Sequence, residues 1–144
     1  MAEFSRTMQA NLKKISADAI QAELSITDRY HDIKLLLSIR LPDYEITNVE
    51  AQFNCTPSPY CPLIEAKLKQ LVGVRVARGL NRTLNQLFSG SEGCINMKNL
   101  LAAFLPLVIN THLVSAASSE EEALATVARE LAGTCVGYPR LTAD

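Results

Sequence analysis

The stretch Ile20-Gln21-Ala22-Glu23-Leu24-Ser25-Ile26-Thr27 alternates apolar and polar side chains without interruption. Successive Cβ atoms of an extended chain point to opposite faces, so this run has one dry face and one wet face. It predicts a strand in a sheet covered on one side only. Its register should be firm, because a slip of one residue would turn every apolar group to water.

The same period extends outward in both directions. Phe4, Met8, Ala10 and Leu12 alternate with Ser5, Thr7, Gln9 and Asn11, and Ile33, Leu35, Leu37, Ile39 and Leu41 are set against Lys34, Ser38 and Arg40. Pro42-Asp43 marks a turn, after which Val49, Ala51 and Phe53 resume the alternation. Ile46 is out of phase with those three, and one inserted residue near Thr47 and Asn48 would bring it onto the same face. Four strands with short connections predict an antiparallel meander over about residues 3–54.

Beyond Phe53 the period becomes helical. Pro62 suits the first turn of a helix in which Ile64, Leu68 and Leu71 share a face, with Gly73 as its C-terminal cap. Asn81 is a candidate cap for a helix carrying Leu84, Leu87 and Phe88. Gly90-Ser91-Glu92-Gly93-Cys94 opens a third helix, apolar on nearly all sides from Leu100 to Ile109 and expected to be the most buried, with a kink at Pro106. Ser119 followed by Glu120, Glu121 and Glu122 starts a last helix, with Leu124, Val127, Ala128 and Leu131 on one face. Strands first and helices after predict a two-layer α+β domain, the sheet (1–54) packed against three to four helices at about 62–133 within a 55–133 layer. Residues 134–144 read as a tail on a single 1–144 domain.

Composition narrows the function classes. The chain of 144 residues is 48% hydrophobic and 20% charged, as in an ordinary globular protein that needs no metal or disulfide to fold. A net charge of −1 argues against a surface tuned to nucleic acid, and the apolar run Leu100 to Ile109 is about half of a bilayer span. No secretory signal is evident at Met1 to Asn11, so a cytoplasmic location is expected, with Cys55, Cys61, Cys94 and Cys135 as reduced thiols. P-loop, dinucleotide, nucleophile-elbow and zinc-protease motifs do not occur.

A few residues carry candidate chemistry. Cys94, behind two glycines at a helix start, is a candidate nucleophile or ligand, or else a small residue packed where helix meets sheet. Cys61, Cys94 and His31 form a candidate zinc or iron–sulfur donor set, with Cys55, Cys135 or water as supplements. His31 beside Asp32 on a strand would point away from it, so His31 is expected to satisfy a backbone group, and His112 to lie near helix-end carbonyls. Lys67, Lys69, Arg75, Arg78 and Arg82 form a basic stretch without aromatics, either a solvated face or an anion grip. Gly90, Gly93, Cys94, Arg75 and Arg78 are the candidate ligand-binding residues.

The runs Phe4-Ser5-Arg6-Thr7, Tyr30-His31-Asp32-Ile33, Pro59-Tyr60-Cys61, Leu71-Val72-Gly73-Val74 and Gly93-Cys94 resemble the bacterial family called domain of unknown function 2889, over about residues 4–112. The resemblance brings no activity, substrate or cofactor. In the family's pattern Gly-Cys is usually followed by a Thr-His pair and a Leu, whereas this chain has Ile95-Asn96-Met97, which weakens any metal role that leaned on that His unless Asn96, Cys135 or His112 stands in. The order of elements also resembles that of iron–sulfur scaffold proteins, in layout alone.

These readings favour a small binding or accessory domain, its pocket formed by the helical layer and the Gly90 to Cys94 loop, for a protein partner or small-molecule ligand. Nucleic acid and membrane are not expected partners, and monomer or homodimer are both open. The alternatives are a metal or iron–sulfur handling protein using Cys61 and Cys94, and an enzyme with Cys94 as nucleophile.

Overall fold

The computed structural model describes residues 2–140, so the expected tail lies partly outside the described residues. The chain divides into two compact units, residues 1–108 and 109–144. The first begins with strands β1 (Arg6–Ser16), β2 (Ala19–Asp28), β3 (Asp32–Arg40) and β4 (Glu45–Cys55), joined in an antiparallel meander of order β1-β2-β3-β4. The α+β fold class read from the sequence is observed.

Register follows the alternation. Met8 pairs with Ile26 and Ala10 with Leu24 across β1 and β2, and Leu24 pairs with Leu35 across β2 and β3. These side chains form one inner face, on which Ile20, Leu24, Ile26, Leu35, Leu37 and Ile39 are fully buried. In β4, Ser38 opposes Asn48 while the next residue, Ile39, opposes Ile46. Thr47 is thus the extra residue of a bulge, which turns Ile46 inward to complete burial beside Val49. β1 is an edge strand, and its inward Met8, Ala10 and Leu12 are only partly buried.

The helical layer follows. A 3-10 turn (Cys61–Ile64) leads into α1 (Glu65–Lys69), then come α2 (Leu80–Phe88) and α3 (Ile95–Phe104). Ile64, Leu68, Leu71, Leu84, Phe88, Met97, Leu100 and Leu101 join the sheet residues in one core. Three expectations are corrected here. Gly73 does not cap a helix ending beside it: α1 stops at Lys69, and Gly73, at φ +93°, returns the chain to β4, where its amide donates to the Ile46 carbonyl and Ile46 donates to that of Val74. Asn81 is not a cap either. Helix α2 begins at Leu80 behind Gly79 at φ +97°, which lets the chain turn early enough to bury Leu80.

The third correction concerns burial. The expected kink is present, since Leu105 and Pro106 separate α3 from α4 (Leu107–Ser115). Burial is confined to one stripe, with Met97, Leu100, Leu101, Leu105 and Val108 inside while Ile95 is 59% exposed. The run Ile95–Ser115 has the length and apolar composition to cross a bilayer, yet that stripe belongs to the protein core.

In the second unit α5 (Glu120–Glu130) starts as its sequence demands, with the Ser119 hydroxyl accepting from the Glu122 amide at 3.1 Å. Its buried face is centred on Ala123 and Val127; Leu124 is 60% exposed, so the face is rotated from the one expected.

Candidate functional site

Two features of the first unit stand out. One is a cleft of about 580 Å³ between the segment containing the 3-10 turn and α1 and the loop before α3. Tyr60, Cys61, Leu63 and Lys67 line one side, and Glu92, Gly93 and Cys94 the other. The loop wall is fixed by local geometry. The Cys94 amide donates to the Phe88 carbonyl at 2.9 Å and that of Gly93 to Gly90 at 3.1 Å, so the chain folds back against the end of α2. A Cβ on Gly93 would lie 2.0 Å from the Phe88 oxygen, which explains the glycine by space alone. Cys94 is the extended residue preceding α3, and its side chain packs partly against the core.

The second feature is a polar cluster at the end of the sheet. Arg6 on β1 lies opposite Asp28 on β2, in phase with the dry stripe. The Asp28 side chain is fully buried and saturated with donors. Its Oδ1 accepts from the amides of Tyr30 and His31, each at 2.8 Å, and from the His31 ring through Nδ1 at 2.9 Å; Oδ2 accepts from Arg6 Nε at 2.8 Å. Burial pushes the Asp28 carboxyl up, and the hydrogen bonds from the His31 ring, the Tyr30 amide, Arg6 and the His31 amide outweigh it, holding it well below the usual carboxylate range.

Asn96, in the first turn of α3, closes the cluster. Arg6 has no acceptor atom, so the Asn96 oxygen must face Arg6 Nη1, at 2.9 Å. The amide nitrogen therefore faces His31 Nε2, at 3.3 Å, and that ring atom is the acceptor. Nδ1 bears the proton donated to Asp28. One amide orientation and one tautomer satisfy every group, and the start of α3 is tied to the first two strands. Outside the cluster Phe4 stacks on Tyr30 with ring centroids 6.1 Å apart, and the guanidinium of Arg29 lies 5.7 Å from the Tyr30 ring.

The sequence-derived candidates separate accordingly. Cys61, Gly93 and Cys94 meet on the cleft. His31 belongs to the polar cluster, and its partner is the Asp28 carboxylate; neither a backbone group nor the adjacent Asp32 takes that place. Among the described residues no three His, Cys, Asp or Glu side chains come together to hold a metal ion, so Cys61, Cys94 and His31 are not one donor set. Gly90 shapes the loop without lining the cleft, and Arg75 approaches Asp43 at 3.8 Å beside Arg40, while neither Arg75 nor Arg78 lines the cleft. Cys55 and Cys135 are exposed.

Arg6 and Asp28 are not among the sequence-derived site residues, and Asn96 enters there only in place of the His that the resemblance expects. A signal existed: a cation and an anion each continue an apolar alternation (Arg6 ahead of Met8 and Ala10, Asp28 after Leu24 and Ile26), which places both on the buried face of neighbouring strands.

Comparison with known families matches residues 5–109 to the family described as Protein of unknown function (DUF2889). The chain belongs to this family. The match spans the whole sheet, the cleft and the polar cluster, and it ends close to the boundary between the two units. Within the matched residues Asn96 is the one that touches both His31 and Arg6. No curated protein and no solved structure matches the chain. The likeness of layout to iron–sulfur scaffolds thus gains no support.

Proposed function

We propose that this member of the DUF2889 family is a small cytoplasmic binding domain, and that the cleft between Tyr60–Lys67 and Glu92–Cys94 receives its ligand or partner. One observation carries the reading: two chain segments, separated in sequence by α2, converge to form a concavity of about 580 Å³, within the usual range for ligand sites. Its walls combine apolar groups (Leu63, Ile64, Ala66) with polar ones, among them Ser58, Lys67, Gln70 and Glu92. Such a lining binds through apolar burial, and its polar groups orient the ligand. The four unpaired thiols suit a reducing compartment. The reading predicts binding without turnover.

Thiol protection tests it. The probe is 8-anilinonaphthalene-1-sulfonate, whose apolar rings and single negative charge suit a wall of Leu63, Ile64 and Lys67. Bound probe should slow N-ethylmaleimide labelling of Cys61 and Cys94 together while leaving Cys55 and Cys135 unchanged. Unchanged labelling of Cys61 and Cys94 at saturating probe, or equal protection of all four thiols, would overturn the reading.

A further inference from the structure

We infer that the cluster of Arg6, Asp28, His31 and Asn96 is a proton-operated tie on the cleft: neutral His31 holds the Glu92–Cys94 wall to the sheet, and proton uptake by its ring releases that wall. The inference rests on the reading of the cleft as a binding site and adds how that site is regulated.

Hydrogen-bond arithmetic carries it. The His31 ring already donates to Asp28 Oδ1 through Nδ1 at 2.9 Å, so that bond is the same whether the ring is neutral or charged. Nε2 is different. In the neutral ring it accepts from the Asn96 amide nitrogen at 3.3 Å, and in the charged ring it is a second donor, so two donors face each other. Turning the Asn96 amide over would bring its oxygen to the ring, but would also set its nitrogen against Arg6 Nη1, which lies 2.9 Å from that oxygen and can only donate. Neither orientation of Asn96 satisfies a charged His31. Asn96 keeps the charge-assisted bond from Arg6, and the bond between α3 and His31 is the one lost.

The ring can take up that proton in the folded protein. Its side chain is 13% exposed, and imidazole is the side chain that changes charge between about pH 5 and 8. Asp28 at the end of β2 draws a proton to the ring, and Arg6 on β1, 2.8 Å from that carboxylate, offsets part of the attraction. From α3 comes the uncharged Asn96, and from β4 the Cys55 thiol, 3.6 Å from the Tyr30 carbonyl. Asp32 follows His31 as an exposed residue of β3, and the Arg29 guanidinium lies against the Tyr30 ring.

Release reaches the cleft because Asn96 and the wall are one piece of chain. Cys94 immediately precedes α3, its carbonyl accepts from the Lys98 amide at 3.1 Å, and Glu92, Gly93 and Cys94 line the cleft. A shift of the first turn of α3 therefore moves the wall. By linkage, an occupant that fits the held wall opposes proton uptake at His31 to the same extent.

The test is a titration of the isotope-labelled full-length protein from pH 7.5 to 5, followed by NMR, with circular dichroism confirming that each variant is folded. The amides of residues 92–96 should shift with the midpoint of the His31 ring signal. Binding of 8-anilinonaphthalene-1-sulfonate should be about two- to tenfold weaker at pH 5.5 than at pH 7.5, the worth of one hydrogen bond. Both responses should vanish in His31→Gln and in Asn96→Ala. Asn96→Asp should reverse the second, since a carboxylate accepts from Arg6 and from a charged His31 alike and repels the lone pair of the neutral ring. Wall amides that ignore the His31 midpoint, a pH response that persists in His31→Gln, or binding to Asn96→Asp that weakens on acidification as in the parent would overturn the inference. If the fluorophore protects Cys61 and Cys94 equally at both pH values while the wall amides stay still, the cleft reading stands and the tie falls. If those amides follow His31 but neither thiol is protected, the tie stands and the cleft reading falls.

Discussion

Replacing Gly93 by alanine should cost stability and deform the cleft together. The new Cβ would lie 2.0 Å from the Phe88 oxygen, 2.2 Å from the Phe88 carbonyl carbon and 2.8 Å from the Ser89 nitrogen. All three are backbone atoms, so no side chain can swing aside. The loop must retreat by about 1.5 Å to reach ordinary van der Waals separation. The Cys94 amide, now 2.9 Å from the Phe88 oxygen, would be stretched beyond hydrogen-bonding range. An amide left without its acceptor costs about 1–3 kcal/mol, and displaced backbone adds about 1–3 kcal/mol, so a total of about 2–6 kcal/mol is expected, of which even about 3 kcal/mol is readily measured. For a chain of this size that corresponds to about 10 °C in Tm. Gly90→Ala is the internal control. Nothing lies within 4 Å of its added Cβ, and only the positive φ of +80° opposes it, for about 1–2 kcal/mol. Urea unfolding of the three proteins, with fluorophore binding measured on each, reads both effects. A Gly93→Ala protein as stable as Gly90→Ala, with unchanged binding, would refute the argument that this loop is set by contact with Phe88.

Two further outcomes follow from the structure. Asp28 has a depressed carboxyl pKa, so it contributes stability that is fully present above its unfolded value of about 3.9 and lost progressively as pH falls below it toward the folded value. Asp28→Asn should be less stable than the parent at pH 7, and the gap should narrow as pH is lowered from 5 to 2.5 in urea titrations; a gap that stays constant or widens would contradict the assignment. Ser119→Ala removes the acceptor for the Glu122 amide at the start of α5 and should cost about 1 kcal/mol in urea unfolding, an effect that Ser119→Asp should largely restore.

The sheet was legible because most of its sequence obeys one rule, alternation of apolar and polar side chains. Alternation in Ile20 to Thr27 sets the register, and the phase error at Ile46 points to a bulge near Thr47 and Asn48, which the structure places at Thr47. Helix ends were less legible, because they depend on tertiary contacts. α2 starts where Leu80 must be buried, and α1 stops where Gly73 is needed to pair with β4. α3 is apolar on most sides, so its sequence could not say which stripe faces inward. The cleft was partly visible, since Gly93 and Cys94 announce a tight loop, while the approach of Cys61 to it depends on how the 3-10 turn packs. The polar cluster depends on residues 6, 28, 31 and 96 meeting, and a contact spanning ninety positions in sequence is beyond local pattern.

The central claim is that the concavity bounded by Tyr60–Lys67 and Glu92–Cys94 is the binding site. A titration of the 15N-labelled protein with 8-anilinonaphthalene-1-sulfonate, followed amide by amide, tests it most directly. Shifts concentrated in residues 58–70 and 91–95 are the expected result. Shifts centred on the outer sheet face at Glu23, Lys34 and Glu50, or none at saturating probe, would contradict it.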